Sequence, residues 1–185
     1  VLKIVINEMG DQRLKVRIPE WCHKFEITLN GKKIDSPAQE GGYLVFPKSS
    51  PGDSFEINFT MDFEYIHPHQ LLDASRGMVA VRRGPEIYAL DQSWNSSELV
   101  VEHLQIKTDG NFKSEIVKDL NGLEFIKVKV NGSSLVVDRS GPSYTSESKA
   151  AKKKEIELVL VPYSRWGNPV TGGMRVWIPE LRAEN

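Results

Sequence analysis

Cysteine is almost missing from this chain: Cys22 is the single one in 185 residues. One thiol closes no internal disulfide and supplies no thiolate cluster for zinc. No apolar stretch approaches the roughly 18–20 residues of a membrane-spanning helix, which excludes that architecture. Neither charge sign is in excess, with Lys+Arg 24 against Asp+Glu 25, so no global field draws in nucleic acid. Helix signals are scarce. The best run, Ser146 to Glu155 with Lys149-Ala150-Ala151-Lys152-Lys153-Lys154, lacks an apolar stripe and reads as a solvated loop or exposed turn. Its weaker alternative is a basic patch for phosphate or an acidic partner. Fingerprints of autonomous chemistry are absent too: no Gly-rich phosphate loop between strand and helix, no G-x-S-x-G elbow and no H-E-x-x-H.

What is present is alternation. Hydrophobic residues make up 39%, enough for a core. They recur with period two in Leu2-Ile4-Ile6, Leu14-Val16-Ile18, Phe25-Ile27-Leu29 and Phe55-Ile57-Phe59-Met61. Short apolar runs follow at Tyr43 to Phe46, Met78 to Arg82, Ile87 to Leu90, Leu104 to Ile106, Glu115 to Val117, Phe125 to Val130, Leu135 to Val137, Ile156 to Leu160 and Met174 to Ile178. Turn residues separate them, and Asn30-Gly31 between two such runs is a strong hairpin signal. The spacing predicts an all-β fold of two packed antiparallel β-sandwich units with little or no helix. We expect a first unit over 1–70, truncated on its N-terminal side, and a second over 71–185. The switch falls between Asp62 and Gly77, and the final strand 174–178 packs back on the first unit. Because the chain opens inside a strand pattern, we expect a segment of a longer protein.

Few residues invite a chemical reading. Cys22 stands beside His23, but neighbours on a strand face opposite ways, so a half-buried structural thiol at a strand end is expected. His67 and His69 flank Pro68, and two ligands fall short of the three or four zinc takes; His103 and His23 could join them only by a coincidence of the fold. Carboxylate pairs select nothing among 25 acidic residues. Trp21, Tyr43, Trp94, Tyr163, Trp166 and Trp177 could build a sugar-stacking platform, since aromatic faces pack on sugar C–H faces. Core or interdomain packing is the expected fate of most, Trp177 especially. The loop residues Trp94, Tyr163 and Trp166 are the candidates for carbohydrate or interdomain contact. The sequons at Asn58, Asn95 and Asn131 read as chance, Asn58 lying mid-strand and Asn131 in a tight Asn-Gly turn.

Three blocks in order carry a resemblance. They are Leu14-Lys15-Val16-Arg17-Ile18-Pro19-Glu20-Trp21-Cys22 with Leu29-Asn30-Gly31, Gly41-Gly42-Tyr43 and Gly52-Asp53; Gly77-Met78-Val79-Ala80-Val81-Arg82-Arg83-Gly84-Pro85-Glu86-Ile87-Tyr88; and Val161-Pro162-Tyr163-Ser164-Arg165-Trp166-Gly167-Asn168 with Gly173-Met174-Arg175-Val176-Trp177. Together they resemble the region after the catalytic barrel in glycoside hydrolase family 127, the β-L-arabinofuranosidase family, over nearly the whole chain. The resemblance implies an accessory portion of a larger enzyme. There the (α/α)6 barrel, absent here, carries a zinc-bound cysteine nucleophile and a glutamate acid/base. No catalytic, cofactor or metal residue transfers to this chain, and zinc belongs to the missing barrel. Pro19, Trp21, Arg83, Gly84, Pro85, Tyr88 and Trp177 are then structural motif residues. The implied partners are that barrel, a second copy in a homodimer, and plant-type glycans, with no nucleic acid or membrane. The runner-up is a carbohydrate-binding module, and a third reading, an independent hydrolase, is not expected. Two departures stand out: Phe46 to Asp53 in place of Trp followed by Gly-Asp, and Gly167-Asn168-Pro169-Val170 in place of Asn-Arg-Gly after Trp-Ala.

Overall fold

The structure, a computed structural model, describes residues 1–8, 13–137, 144, 146, 151–167 and 172–181. It is all-β among these residues, with short 3-10 turns as its only helical pieces. The chain divides into Val1–Asp62 and Phe63–Asn185. The division precedes the boundary expected at 70 because Phe63–Ile66, unread as a strand in the sequence, pairs with Met78–Arg83 of the second unit.

The first unit contains β1 (Leu2–Val5), β2 (Lys15–Arg17), β3 (Phe25–Leu29), β4 (Lys32–Lys33), β5 (Ala38–Glu40), β6 (Tyr43–Val45) and β7 (Ser54–Phe59). They form a four-stranded sheet, β1-β7-β3-β4, and a three-stranded sheet, β2-β6-β5. Ile27, Phe55 and Ile57 from the first sheet share a core with Leu44 and Phe46. The rings of Phe46 and Phe55 meet edge to face at 4.4 Å. Asn30 and Gly31 adopt φ of +50° and +76°, the pair of left-handed residues that a two-residue hairpin turn demands. The Asn30 amide donates to Asp53 Oδ1 at 2.7 Å, and its carbonyl oxygen accepts from the Ser54 N–H at 2.9 Å. The Asn30-Gly31 and Gly52-Asp53 turns, separate in the sequence, are thus clamped together. The Asn30 amide and the Ser50 N–H hold the Asp53 carboxyl below its ordinary range.

The second unit contains β8 (Phe63–Ile66), β9 (Met78–Arg83), β10 (Glu86–Asp91), β11 (Leu104–Ile106), β12 (Lys113–Lys118), β13 (Glu124–Leu135), β14 (Lys153–Pro162), β15 (Met174–Arg175) and β16 (Ile178–Pro179). They make one nine-stranded sheet with the path β11-β13-β14-β10-β9-β16. A bridge from Glu180 to Ile106 and the Leu181 N–H donating to the Ile106 carbonyl at 2.8 Å bring the ends of that path together. Every strand on the path contributes to one core, including Val79, Val81, Leu90, Ile106, Val128, Leu158 and Ile178. Gly84 and Pro85 turn β9 into β10, Gly84 at φ +57°, while the guanidinium of Arg83 lies 5.7 Å from the Phe63 ring centre.

Three expectations change here. The final strand 174–178 is two strands separated by a bend at Val176 and Trp177, of which β15 pairs β10 and β16 pairs β9. Of the Lys-rich run, 147–150 lie outside the described residues, and Lys153 to Glu155 open β14 as strand. Asn131-Gly132 is no turn but the middle of β13. Gly is needed there for space, since a Cβ would sit 2.5 Å from both the Gln105 carbonyl oxygen and Leu158 Cδ1.

Gly132→Ala is therefore expected to lower stability by about 1–3 kcal/mol by overpacking, read from urea denaturation. A second prediction concerns alkali. Burial, assisted by Glu86 and opposed by Arg83, pushes the Tyr88 phenol up to about 12. Burial, assisted by Asp109, does the same to Tyr65, whose hydroxyl donates to Lys107 O at 3.0 Å. A phenol ionising later in the folded than in the unfolded state favours folding below its unfolded pKa of about 10, and this is lost as pH climbs toward 12. For fully buried Tyr88 the loss is about 3 kcal/mol. Part of the phenolate absorbance should appear only as the far-UV strand signal collapses; independent titration would contradict this.

Candidate functional site

The three loop aromatics lie in the second unit, at two 3-10 turns that each follow a strand. β14 ends at buried Pro162, whose ring fixes φ and sends the chain into a 3-10 turn, Tyr163–Arg165. At three residues per turn, side chains three apart eclipse. Tyr163 and Trp166 accordingly stack, with ring centres 6.3 Å apart and planes 14° from parallel. Both are exposed, 48% and 39% respectively.

Arg165, between them, anchors the turn. Its Nη1 donates to Asp119 Oδ2 at 2.9 Å, and its guanidinium carbon lies 5.8 Å from the Phe125 ring centre. Asp119 opens the turn from β12 to β13. Its Oδ1 accepts from the backbone N–H groups of Asn121 and Leu123, each at 2.9 Å, while Gly122 takes φ +79°. One carboxylate therefore organises its own turn and fixes the neighbouring one.

Trp94 occupies a different environment. It closes the 3-10 turn Gln92–Trp94, which Asp91 caps by accepting from the Ser93 N–H at 2.8 Å. Its ring meets Phe125 edge to face at 5.6 Å, and Lys127 Nζ lies 5.3 Å from its centre. Asn95 secures this turn: its side chain both donates to the Val159 carbonyl and accepts from the Val159 N–H, each at 3.0 Å, continuing the β14 ladder. The structure thus gathers Trp94, Phe125 and Arg165 into a packed cluster and leaves Tyr163 and Trp166 outward. Phe125, Asp119 and Arg165 were missed as a unit, because their meeting depends on strand pairing rather than on a local pattern.

The remaining sequence candidates are dispersed. Pro19 begins the turn in which the Cys22 N–H donates to the Pro19 carbonyl at 2.9 Å. Trp21 meets Phe59 edge to face at 6.1 Å. Cys22 lies in this turn, buried, its Sγ donating to the Lys24 carbonyl at 3.1 Å, while His23 is exposed. Tyr88 is fully buried and its hydroxyl donates to the Ile126 carbonyl at 3.0 Å. Trp177 is half-buried. His67 and His69 are exposed, and among the described residues no three His, Cys, Asp or Glu are grouped to hold a metal ion. In the first unit a cavity of about 470 Å³ has Ile27, Leu44 and Phe46 in its wall with Arg13 and Lys48. Its described lining includes no carboxylate, imidazole or thiol.

Comparison with known proteins accounts for both units. Residues 2–61 match the family description "Beta-L-arabinofuranosidase, GH127 middle domain", and residues 63–179 match "Glycoside hydrolase family 127 C-terminal domain". The chain belongs to glycoside hydrolase family 127. The two family-127 matches adjoin where the structure divides, at Asp62 and Phe63. A non-reducing end β-L-arabinofuranosidase from Bifidobacterium longum subsp. longum is 25% identical over 173 residues, covering 89% of this chain and 25% of that protein. The crystal structure of a GH127 β-L-arabinofuranosidase from Geobacillus stearothermophilus T6 has a TM-score of 0.79 and 27% identity over 93% of this chain and 27% of that one. A further solved glycoside hydrolase shares the fold, with TM-score 0.82 and 24% identity over 97% of this chain and 30% of its own. The chain thus spans about a quarter of the length of these relatives. Cys22, the one thiol, is hydrogen-bonded to a carbonyl and stands in no group of three His, Cys, Asp or Glu among the described residues. The departure at Asn168, Pro169 and Val170 lies outside the described residues.

Removing the Asp119 carboxylate strips acceptors from two N–H groups and Arg165 together. Asp119→Ala is expected to cost about 2 kcal/mol, and Arg165→Met less, because it leaves the backbone partners of Asp119 intact. Urea denaturation of both variants checks the order; equal costs would mean the Asp119 turn does not hold itself.

Proposed function

We propose that this chain is the non-catalytic accessory β-region of a family-127 glycoside hydrolase whose whole-protein activity is that of a β-L-arabinofuranosidase. Its role is to brace the (α/α)6 catalytic barrel, shape the rim of the barrel's pocket and supply contacts for a homodimer. The substrates of that whole protein are plant-type glycans bearing arabinofuranose. The observation that carries this reading is the pair Leu71 and Leu72, 85% and 54% exposed, side by side between β8 and β9. Adjacent large apolar side chains facing water mark a surface that another protein surface covers. Two consecutive domain descriptions of one enzyme family, spanning about a quarter of the relatives' length, support the same assignment.

The test is a chimera in which this chain replaces the matching quarter of the Geobacillus enzyme. The chimera is expected to hydrolyse an aryl β-L-arabinofuranoside, and the chain alone to release nothing. Leu71→Asp with Leu72→Asp in the chimera should lower its thermal midpoint while leaving the isolated chain's midpoint unchanged. Turnover by the chain alone, or indifference of the chimera to both substitutions, would overturn the bracing role.

A further inference from the structure

We propose that Tyr163 and Trp166 form a stacking site for a neutral oligosaccharide, with Ser164, which lies between them in the chain, and its hydrogen-bond partner Glu86 as the polar groups nearby. Among the described residues, the other ring contacts involve buried or half-buried side chains: Trp21 meets Phe59, Phe46 meets Phe55, Trp94 meets Phe125, Phe63 meets Tyr88, and Phe112 meets Phe63 and Tyr65. Tyr163 and Trp166 are the exposed pair, and they are nearly parallel. Two exposed aromatic side chains are unfavourable in water, and the turn that carries them is fixed by the Arg165 bond to Asp119.

The polar groups of the turn narrow the ligand. Ser164, between the two aromatics in the chain, donates its hydroxyl to Glu86 Oε1 at 3.5 Å, which puts one hydroxyl and one carboxylate in the same region. A carboxylate repels phosphate and carboxylate ligands but accepts well from hydroxyl groups. An apolar face with a hydroxyl edge is the profile of a neutral sugar, and aromatic side chains with a polar rim match it. The turn is fixed before binding, so little ordering remains to be done. This site stands or falls separately from the bracing role, which rests on Leu71 and Leu72.

The test is a titration of the full chain, followed by the indole N–H resonances of its tryptophans, with arabinofuranose, xylose and glucose trisaccharides at millimolar concentration. At least one trisaccharide is expected to shift the Trp166 signal saturably while the Trp94 signal stays in place, which also reports an intact fold. Tyr163→Ala and Trp166→Ala should each weaken binding about tenfold, and Trp166→Phe less. Tyr144→Ala, at an aromatic residue 93% exposed, should change nothing. No shift with any of the sugars, or shifts that persist in both alanine variants, would overturn the proposal.

Discussion

The β13–β14 ladder is the interaction on which the second unit depends. It pairs Val128 with Leu160 through to Leu135 with Lys153, an unbroken antiparallel register through the middle of the sheet. Both β11 and β12 pair with β13, and β10 pairs with β14, so the rest of the sheet hangs from these two strands. A sheet must satisfy its backbone groups between distant segments, since no helix does so locally. Gly132 is the local condition for that ladder, because any side chain there collides with Leu158 and with the Gln105 carbonyl across the strand. The surface features grow from the same strands. Phe125 and Lys127 stand on one face of β13, Val159 of β14 receives Asn95, and the end of β14 launches the Tyr163 turn.

Much of this was legible in the sequence where the information is local. Period-two alternation marked Phe25 to Leu29 and Phe55 to Phe59, and their inward residues Ile27, Phe55 and Ile57 are core. Asn30-Gly31 and Gly84-Pro85 turn where turn chemistry requires. The failures have a common cause. Asn131-Gly132 carries the same dipeptide signal as Asn30-Gly31, yet pairing on both edges of β13 overrides it and converts the glycine from a turn former into a spacer. Phe63 to Ile66 shows no clean alternation because all four residues are half-buried, and that shifted the expected unit boundary. Glu26, Lys33, Glu56 and Lys3 are exposed, and their ion pairs are cross-strand surface pairs worth little individually.

Edge strand β12 shows how the fold handles an exposed ladder. Among the strands it pairs with β13, and Ile116 faces water on it. Lys113 and Lys118 bracket the strand, each paired to a carboxylate, Glu157 and Glu124, and Glu115 pairs with Lys127. Charged side chains along an edge discourage a stray strand from adding to it. The same pairs hold the Glu157 carboxyl below its ordinary range, through hydrogen bonds from Lys113 and Lys129. Lys127 joins this network to the site, because its ammonium also covers Trp94.

The division among the aromatics follows from that arrangement. Trp94 and Trp166 are the same residue type, each at or just beyond the end of a 3-10 turn that follows a strand, so their sequences alone do not separate them. Register does. The β12–β13 hairpin brings Phe125 and Lys127 under Trp94, which takes its face and its edge out of play. At the other turn the inward position is filled by Arg165, whose charge goes to Asp119 and whose plane lies near Phe125. One phenylalanine therefore receives a tryptophan from one turn and a guanidinium from the other. Because Arg165 takes the inward role, Tyr163 and Trp166 are left exposed and nearly parallel. A structural need, closing the outer face over Phe125, produces a rigid exposed pair as its by-product, and such a pair is a ready starting point for binding.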